Sequence, residues 1–148
     1  MLQIRILCTG RLKEKFYSDA CAEYAKRLGR YCSLEITELA ETGNVERDSA
    51  AMQSRIAPGD YVVAMCIEGS LCSSEELSKR ISTAALQGKS RMDFLIGGSD
   101  GLSDEIKKRA DFRLSMSPMT FPHHLARVMV LEQIYRAFQI SEGGKYHK

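Results

Sequence analysis

Nowhere does the chain carry an apolar run long enough to cross a bilayer. The opening residues MLQIRILCTG alternate apolar and polar side chains where a secretory leader would place an unbroken apolar core. Neither a spanning helix nor an export signal is expected, and the default is a soluble, cytoplasmic protein without a membrane partner. Proline is scarce too. Three prolines in 148 residues, 44% of them hydrophobic, leave no stretch that reads as a long linker, and one domain over residues 1–148 with its own core is expected. The five cysteines (8, 21, 32, 66 and 72) are odd in number, form no CxxC pair and have no histidine at zinc-ligand spacing, so neither a disulfide framework nor a metal site is expected. Cys8 and Cys66 lie inside apolar, strand-like runs, where a thiol behaves as a small hydrophobe. Net charge is also in short supply: +2 is too little for indiscriminate adhesion to nucleic acid, which rests on many phosphate contacts. The cations cluster locally instead, at Arg11, Lys13 and Lys15 and at Lys26, Arg27 and Arg30, a pattern shared by a solvated helix face and an RNA footprint.

What is present is an alternation of strands and helices. Leu2 to Cys8 reads as a strand ended by Gly10, and Phe16, Ala20, Tyr24 and Leu28, four apart, mark an amphipathic helix closed near Gly29. Leu34 to Leu39 alternates as a second strand, followed by a short helix around Ala50 to Ile56 that Pro58-Gly59 stops. Tyr61 to Ile67 is continuously apolar, as in a strand covered on both faces. Ser73 with Glu76 forms a capping box for the next helix, which Gln87-Gly88 ends. Met92 to Ile96 gives a buried strand, Ser103 with Asp104 and Glu105 opens a short helix, and Phe112 to Met116 is a weaker strand. The last helix begins near Pro122. The expected fold is α/β, a mostly parallel sheet with helices on both faces. The last helix, apolar over much of its circumference, is expected to be covered twice, by the sheet and by a second copy of the chain, giving a homodimer.

Two strand-to-helix connections could carry chemistry. In IGGSDGLSDE, glycines let a ligand approach the backbone at the C-terminal end of a strand, where open α/β sheets bind ligands. The spacing matches neither GxGxxG nor GxxxxGK[ST], and an ordinary tight turn is the competing reading. The second connection, SMSPMTFPHH, sets hydroxyls beside soft apolar side chains, which suits a ligand carrying an adenine and a thioether. His123 and His124 at the helix start are surface or capping residues on the plainer reading, and Glu132 with Arg136, four apart, reads as a helical ion pair. The tail SEGGKYHK is a frayed end or a flap that stacks on a base and meets phosphate.

Three segments in order, GRLKEKFYSDACAEYAKRLGRY, LIGGSDGLSDE and MTFPHHLARVMVLEQIYRAFQI with terminal YHK, resemble the bacterial large-subunit (23S) ribosomal RNA pseudouridine N3-methyltransferases. The similarity runs nearly end to end. It implies a C-terminal trefoil knot, which general rules would reject, an obligate dimer, and S-adenosyl-L-methionine bound by the loops of the knot. By position, the cofactor contacts fall at Met65, at Gly97, and at Met116, Ser117, Pro118, Met119, Thr120 and Phe121. Family members carry lysine where this chain has Pro118, leaving that position backbone contacts only, and leucine commonly stands where it has Met65, a volume-conserving exchange.

The resemblance implies as substrate a pseudouridine of 23S ribosomal RNA in the assembled ribosome. The acceptor imide nitrogen is protonated at neutral pH, so a base or charge-stabilising donors are required. His147 is the candidate base and Arg127 and His123 the candidate donors, with Glu132 orienting Arg127 or Arg136, Tyr146 stacking on the base and Lys148 meeting a phosphate. Competing readings are a knotted transfer RNA methyltransferase, a non-catalytic RNA- or ribosome-binding factor, and, from strand and helix order alone, a flavodoxin-like module.

Overall fold

The computed structural model describes residues 1–148. Five strands, β1 (Gln3–Thr9), β2 (Ser33–Leu39), β3 (Tyr61–Leu71), β4 (Arg91–Ile96) and β5 (Phe112–Ser115), form one sheet in the order β2-β1-β4-β3-β5. All its ladders are parallel. The helices are α1 (Lys15–Leu28), α2 (Val45–Gln53), α3 (Ser74–Leu86), α4 (Asp104–Arg109) and α5 (His123–Ser141).

The period of two along each strand divides the core. Ile4, Ile6 and Cys8 of β1 and Met92, Phe94 and Ile96 of β4 point to one face, where α1, α3 and α5 cover them through Leu28, Ile81 and Leu131. Leu7, Val62 and Leu95 point to the other, against Met52 of α2 and Ile106 of α4. The sheet is thus buried on both sides, as parallel sheets are. Cys8, Cys21 and Cys32 are buried free thiols, and burial pushes Cys8 up to about 12.

Four of the five expected strands and most helices stand within a residue or two of their bounds. One helix is displaced: α2 starts at Val45, not near Ala50, because Asn44 caps it by accepting a hydrogen bond from the Arg47 amide at 2.9 Å. Asp48 in its first turn accepts from the Thr42 hydroxyl at 2.6 Å. β3 runs to Leu71, well past Ile67. The Ser73–Glu76 capping box is formed on α3. α5, capped at Pro122, lies between α1 and α3, and much of its broad apolar surface is taken up by these neighbours as well as by the sheet. No helix is long and apolar enough to cross a membrane.

Candidate functional site

Three loops at the C-terminal edge of the sheet converge on one cavity of about 560 Å³, within the usual range for small-molecule sites. The first loop follows β4. Gly98 and Gly101 bridge each other, the Gly101 amide donates to the Gly98 carbonyl at 3.0 Å, and Gly101 sits at φ +80°, where a side chain would be strained. A Cβ on Gly97 would meet the Gly101 carbonyl carbon and oxygen at 2.5 Å, so the turn closes only on glycine.

The second loop is an excursion within β3. Leu114 is opposite both Met65 and Ser70, so residues 66–69 leave the ladder. Glu68 at its tip pairs with Lys107 of α4, and a Cβ on Gly69 would strike the Arg113 carbonyl at 2.7 Å. The third loop joins β5 to α5. The Ser117 hydroxyl accepts from the Met119 amide at 3.0 Å, folding the segment back before Pro122 starts the helix.

Met65, Gly97, Met116, Ser117, Met119, Thr120 and Phe121, taken from sequence as cofactor contacts, all line this cavity, together with His123. Pro118 of the same loop is not among the lining residues. Methionines, Ile96 and Leu102 make an apolar wall, while Ser117, Thr120 and the backbone of the glycine turn supply hydrogen-bonding groups. This donor set fits a ligand with an aromatic base, a ribose and a thioether-like sulfur.

One residue of the site went unnoticed in the sequence. Glu41, just beyond β2, reaches over the ends of β1 and β4 and accepts hydrogen bonds from the Ser99 amide at 3.1 Å and hydroxyl at 3.3 Å. Its other carboxylate oxygen lies 3.9 Å from His123 Nε2, a buried atom with no hydrogen-bond partner. A Cβ on Gly98 would collide with this carboxylate and one on Gly10 would come to 3.0 Å from it, so glycines from two loops make room for it. The only signal was position, an acid following the C-terminal end of a strand in an open α/β sheet. Burial, and secondarily the His124 ring 4.2 Å away, lower the His123 pKa against the opposing pull of Glu41, favouring the neutral imidazole.

The other candidates lie elsewhere in the chain. Arg127 is 2% exposed and committed to support: Nη1 donates to Glu38 at 2.6 Å and Nη2 to the Gly10 carbonyl at 3.0 Å. Burial raises the Glu38 carboxyl, but the hydrogen bonds from Arg127 and the Leu12 amide and the charges of Arg127 and Arg11 together outweigh it and leave the group below its usual range. Arg127 therefore does not meet Glu132, and the expected alternative, Arg136, is the partner, at 2.6 Å. Glu132 also accepts from the Tyr146 hydroxyl at 2.7 Å, and burial together with this carboxylate pushes the phenol up. His147 is held at both nitrogens, by Arg136 at 3.0 Å and by Glu75 of α3. Lys148 is exposed.

Glu132 is nine residues along α5 from His123, roughly 14 Å at 1.5 Å per residue. It lines a separate groove of about 490 Å³, which shares Met65, Leu114, Met116 and Phe121 with the cavity as a common wall.

A parallel α/β sheet whose edge loops gather such a cavity is one of the folds on which methyl transfer is carried out, and the family can now be assigned. Residues 2–147 match the family profile described as "Predicted SPOUT methyltransferase", and the chain belongs to the SPOUT methyltransferase family. Its relatives include proteins named Ribosomal RNA large subunit methyltransferase H. That of Clostridium acetobutylicum is 46% identical over 159 residues, covering 99% of this chain and 100% of the relative. That of Desulfitobacterium hafniense is 45% identical over 160 residues, covering both completely. Two solved structures share the fold at low identity. The tRNA (m1G37) methyltransferase of Aquifex aeolicus has a TM-score of 0.57 at 14% identity, over 91% of this chain and 69% of that one. The SpoU methyltransferase AviRb of Streptomyces viridochromogenes, in complex with AdoMet, has a TM-score of 0.50 at 15% identity, over 95% of this chain and 58% of that one.

Proposed function

We propose that this chain methylates N3 of a pseudouridine in 23S ribosomal RNA, within the assembled ribosome, using S-adenosyl-L-methionine. The observation that carries the reading is the convergence of Met65, Gly97 and the 116–121 loop, distant in sequence, on one cavity at the C-terminal edge of the sheet. Relatives of full length named as large-subunit ribosomal RNA methyltransferases support the substrate class. The chain works as one domain and as a cytoplasmic homodimer through α5, whose Val128, Tyr135 and Phe138 remain only partly buried in the protomer. The trefoil threading belongs to the same reading.

Met65, Met116 and Phe121 make an apolar seat for the adenine, and Ser117, Thr120 and the glycine turn offer hydrogen bonds to the polar parts of the cofactor. When bound, the cofactor supplies a methyl group already activated by its sulfonium. What is left to the protein is to place the acceptor nitrogen in line and to manage its proton. His123, held toward neutrality at the cavity wall, donates a hydrogen bond to the base or takes part in moving the proton. Tyr146 and His147 are fastened outside the cavity of their own protomer and Lys148 follows them, exposed, which favours a division of labour in which one subunit's tail serves the cavity of the other: His147 as base, Tyr146 stacked on the nucleobase, Lys148 on a phosphate.

The test is to incubate the protein and radiolabelled S-adenosyl-L-methionine with ribosomes lacking the modification, with free ribosomal RNA and with transfer RNA, then map the label by mass spectrometry. Label at N3 of a pseudouridine, on ribosomes only, is expected. Label on transfer RNA would move the substrate, and no label despite cofactor binding would leave a binding factor.

A further inference from the structure

A run of rings leads from the cavity to the surface. His123 at the wall packs on His124 with centroids 4.2 Å apart, His124 meets Tyr17 edge-on at 6.3 Å, and Tyr17 packs on Phe16 at 4.5 Å. Phe16 ends the run 65% exposed, the one aromatic residue among the large hydrophobics left to solvent.

Exposed Arg11 and Lys13 stand on the connection from β1 to α1, and exposed Lys15 opens α1 directly before Phe16. Lys15 pairs only with Asp19, with 86% of its side chain in water, and Arg11 and Lys13 belong to no ion pair. The one acid among them, Glu14, is drawn aside toward His124 Nδ1 at 3.6 Å. For the helix, Lys15 offers only its exposed i,i+4 pair with Asp19, since a cation in a first turn opposes the helix dipole. The connection is nevertheless braced: Arg127 holds the Gly10 carbonyl, and Glu38, its ion-pair partner, accepts from the Leu12 amide at 3.2 Å.

We propose that this surface, from His123 through Tyr17 to Phe16 with Arg11 and Lys13 alongside, is a track for the single-stranded RNA flanking the target nucleotide. This rests on the proposed function. A nucleobase stacks on Phe16 and the adjoining phosphates meet the two unpaired cations, the combination by which proteins hold single strands with little sequence preference. The loop's bracing keeps the stacking platform in fixed relation to the cavity. A second copy of the chain is the less suitable occupant, because Arg11 and Lys13, exposed and outside any ion pair, favour a polyanion over a like-charged surface.

Two assays test the track. In methylation of ribosomes, Phe16→Ala should raise KM for the ribosome on the order of tenfold, the size of one lost base stack, with kcat and cofactor affinity unchanged, and Phe16→Tyr should restore it. In fluorescence anisotropy with a short labelled single-stranded RNA, Phe16→Ala should weaken binding similarly. Replacing Arg11 and Lys13 by Gln should flatten the salt dependence of log K by about 0.7 per cation. Weakened RNA binding in a protein that methylates no ribosomal RNA would sustain the track and sink the proposed function. Wild-type KM and wild-type anisotropy for Phe16→Ala would overturn the track. So would a Phe16→Ala variant that turns a dimer into a monomer by light scattering, since the surface would then belong to a second copy.

Discussion

Glu41 and Ser99, 58 residues apart, are joined by two hydrogen bonds in which the carboxylate accepts from both the amide and the hydroxyl. The acid thereby closes the glycine turn from outside the cavity, and its second oxygen faces His123. Glu41→Ala is expected to weaken S-adenosyl-L-methionine binding roughly fivefold by calorimetry. That corresponds to about 1 kcal/mol, low for bonds to a charged group because a third of the side chain is exposed. Glu41→Gln should lower the His123 pKa further in an NMR titration, since it removes the larger of the two charges, Glu41 and Glu14, that hold it up against burial and the neighbouring cations. An unchanged His123 titration would mean that the carboxylate does not reach the ring.

Gly97 has a harder constraint. A methyl group there overlaps the Gly101 backbone, which cannot move aside as a flexible side chain would. Gly97→Ala should cost roughly 1–3 kcal/mol of stability and abolish measurable cofactor binding, since the turn must reopen. Gly59→Ala, with nothing within 4 Å of the new Cβ, should stay within about 0.5 kcal/mol of wild type by denaturant titration. Equal effects at the two positions would show that the turn tolerates expansion.

The sheet was legible because its strands alternate apolar and polar residues or run continuously apolar, as YVVAMCI does where both faces are buried, and are bounded by turn residues. α2 was placed too late because its start is fixed by Asn44 and by the Thr42–Asp48 bond, polar contacts that leave no apolar periodicity. The two ligand-prone loops could be recognised from glycines, hydroxyls and methionines at strand ends. Their meeting in one cavity could not, since it depends on β3 and β5 being neighbours although α3, β4 and α4 lie between them in the chain. Glu41 was invisible for the same reason: its partners come from the ends of β4 and α5. Arg127 was read as a charge on an apolar helix available for chemistry, and it is the buried brace for the β1–α1 connection.

At the opposite edge of the sheet, Asp93 is fully buried on β4, bonded to Arg5 at 3.1 Å, with its second oxygen unpartnered. Burial, and then the neighbouring Asp60, push its carboxyl up to about 7 against the pull of Arg5. Between its unfolded pKa of about 3.9 and this value the folded chain holds the more protons, so stability falls as pH rises through that window. The depressed pKa of Asp60 acts below it. The unfolding free energy should drop from pH 5 to pH 8 by an amount on the order of 2 kcal/mol, and the melting temperature should fall with it. Asp93→Asn, a mimic of the neutral acid, should match wild type near pH 5 and lose the slope. A slope that survives in the variant would assign it to another group.

Tyr146 and His147 are tied to α5 and α3 by side-chain bonds, and they line no part of the cavity. Removal of residues 146–148 should leave cofactor affinity within about twofold and reduce turnover on ribosomes by roughly a hundredfold or more, the usual contribution of a general base. Unchanged turnover would take the tail out of the reaction, while a parallel loss of cofactor binding would make it part of the cofactor site.

Arg127 poses the sharpest question of role, because a buried brace and a catalytic cation both fail when replaced by alanine. Arg127→Ala leaves Glu38 without its partner and drops the Gly10 carbonyl. It should cost roughly 3 kcal/mol, low for breaking a buried pair because 36% of the Glu38 side chain is exposed. Removing both charges together, as Arg127→Met with Glu38→Leu, eliminates the unpaired carboxylate and should recover most of that stability. If Arg127 acts only as a brace, turnover in the double variant follows stability back toward wild type. Turnover that stays low in a restored fold with normal cofactor affinity would place the guanidinium in the chemistry of a rearranged, substrate-bound state.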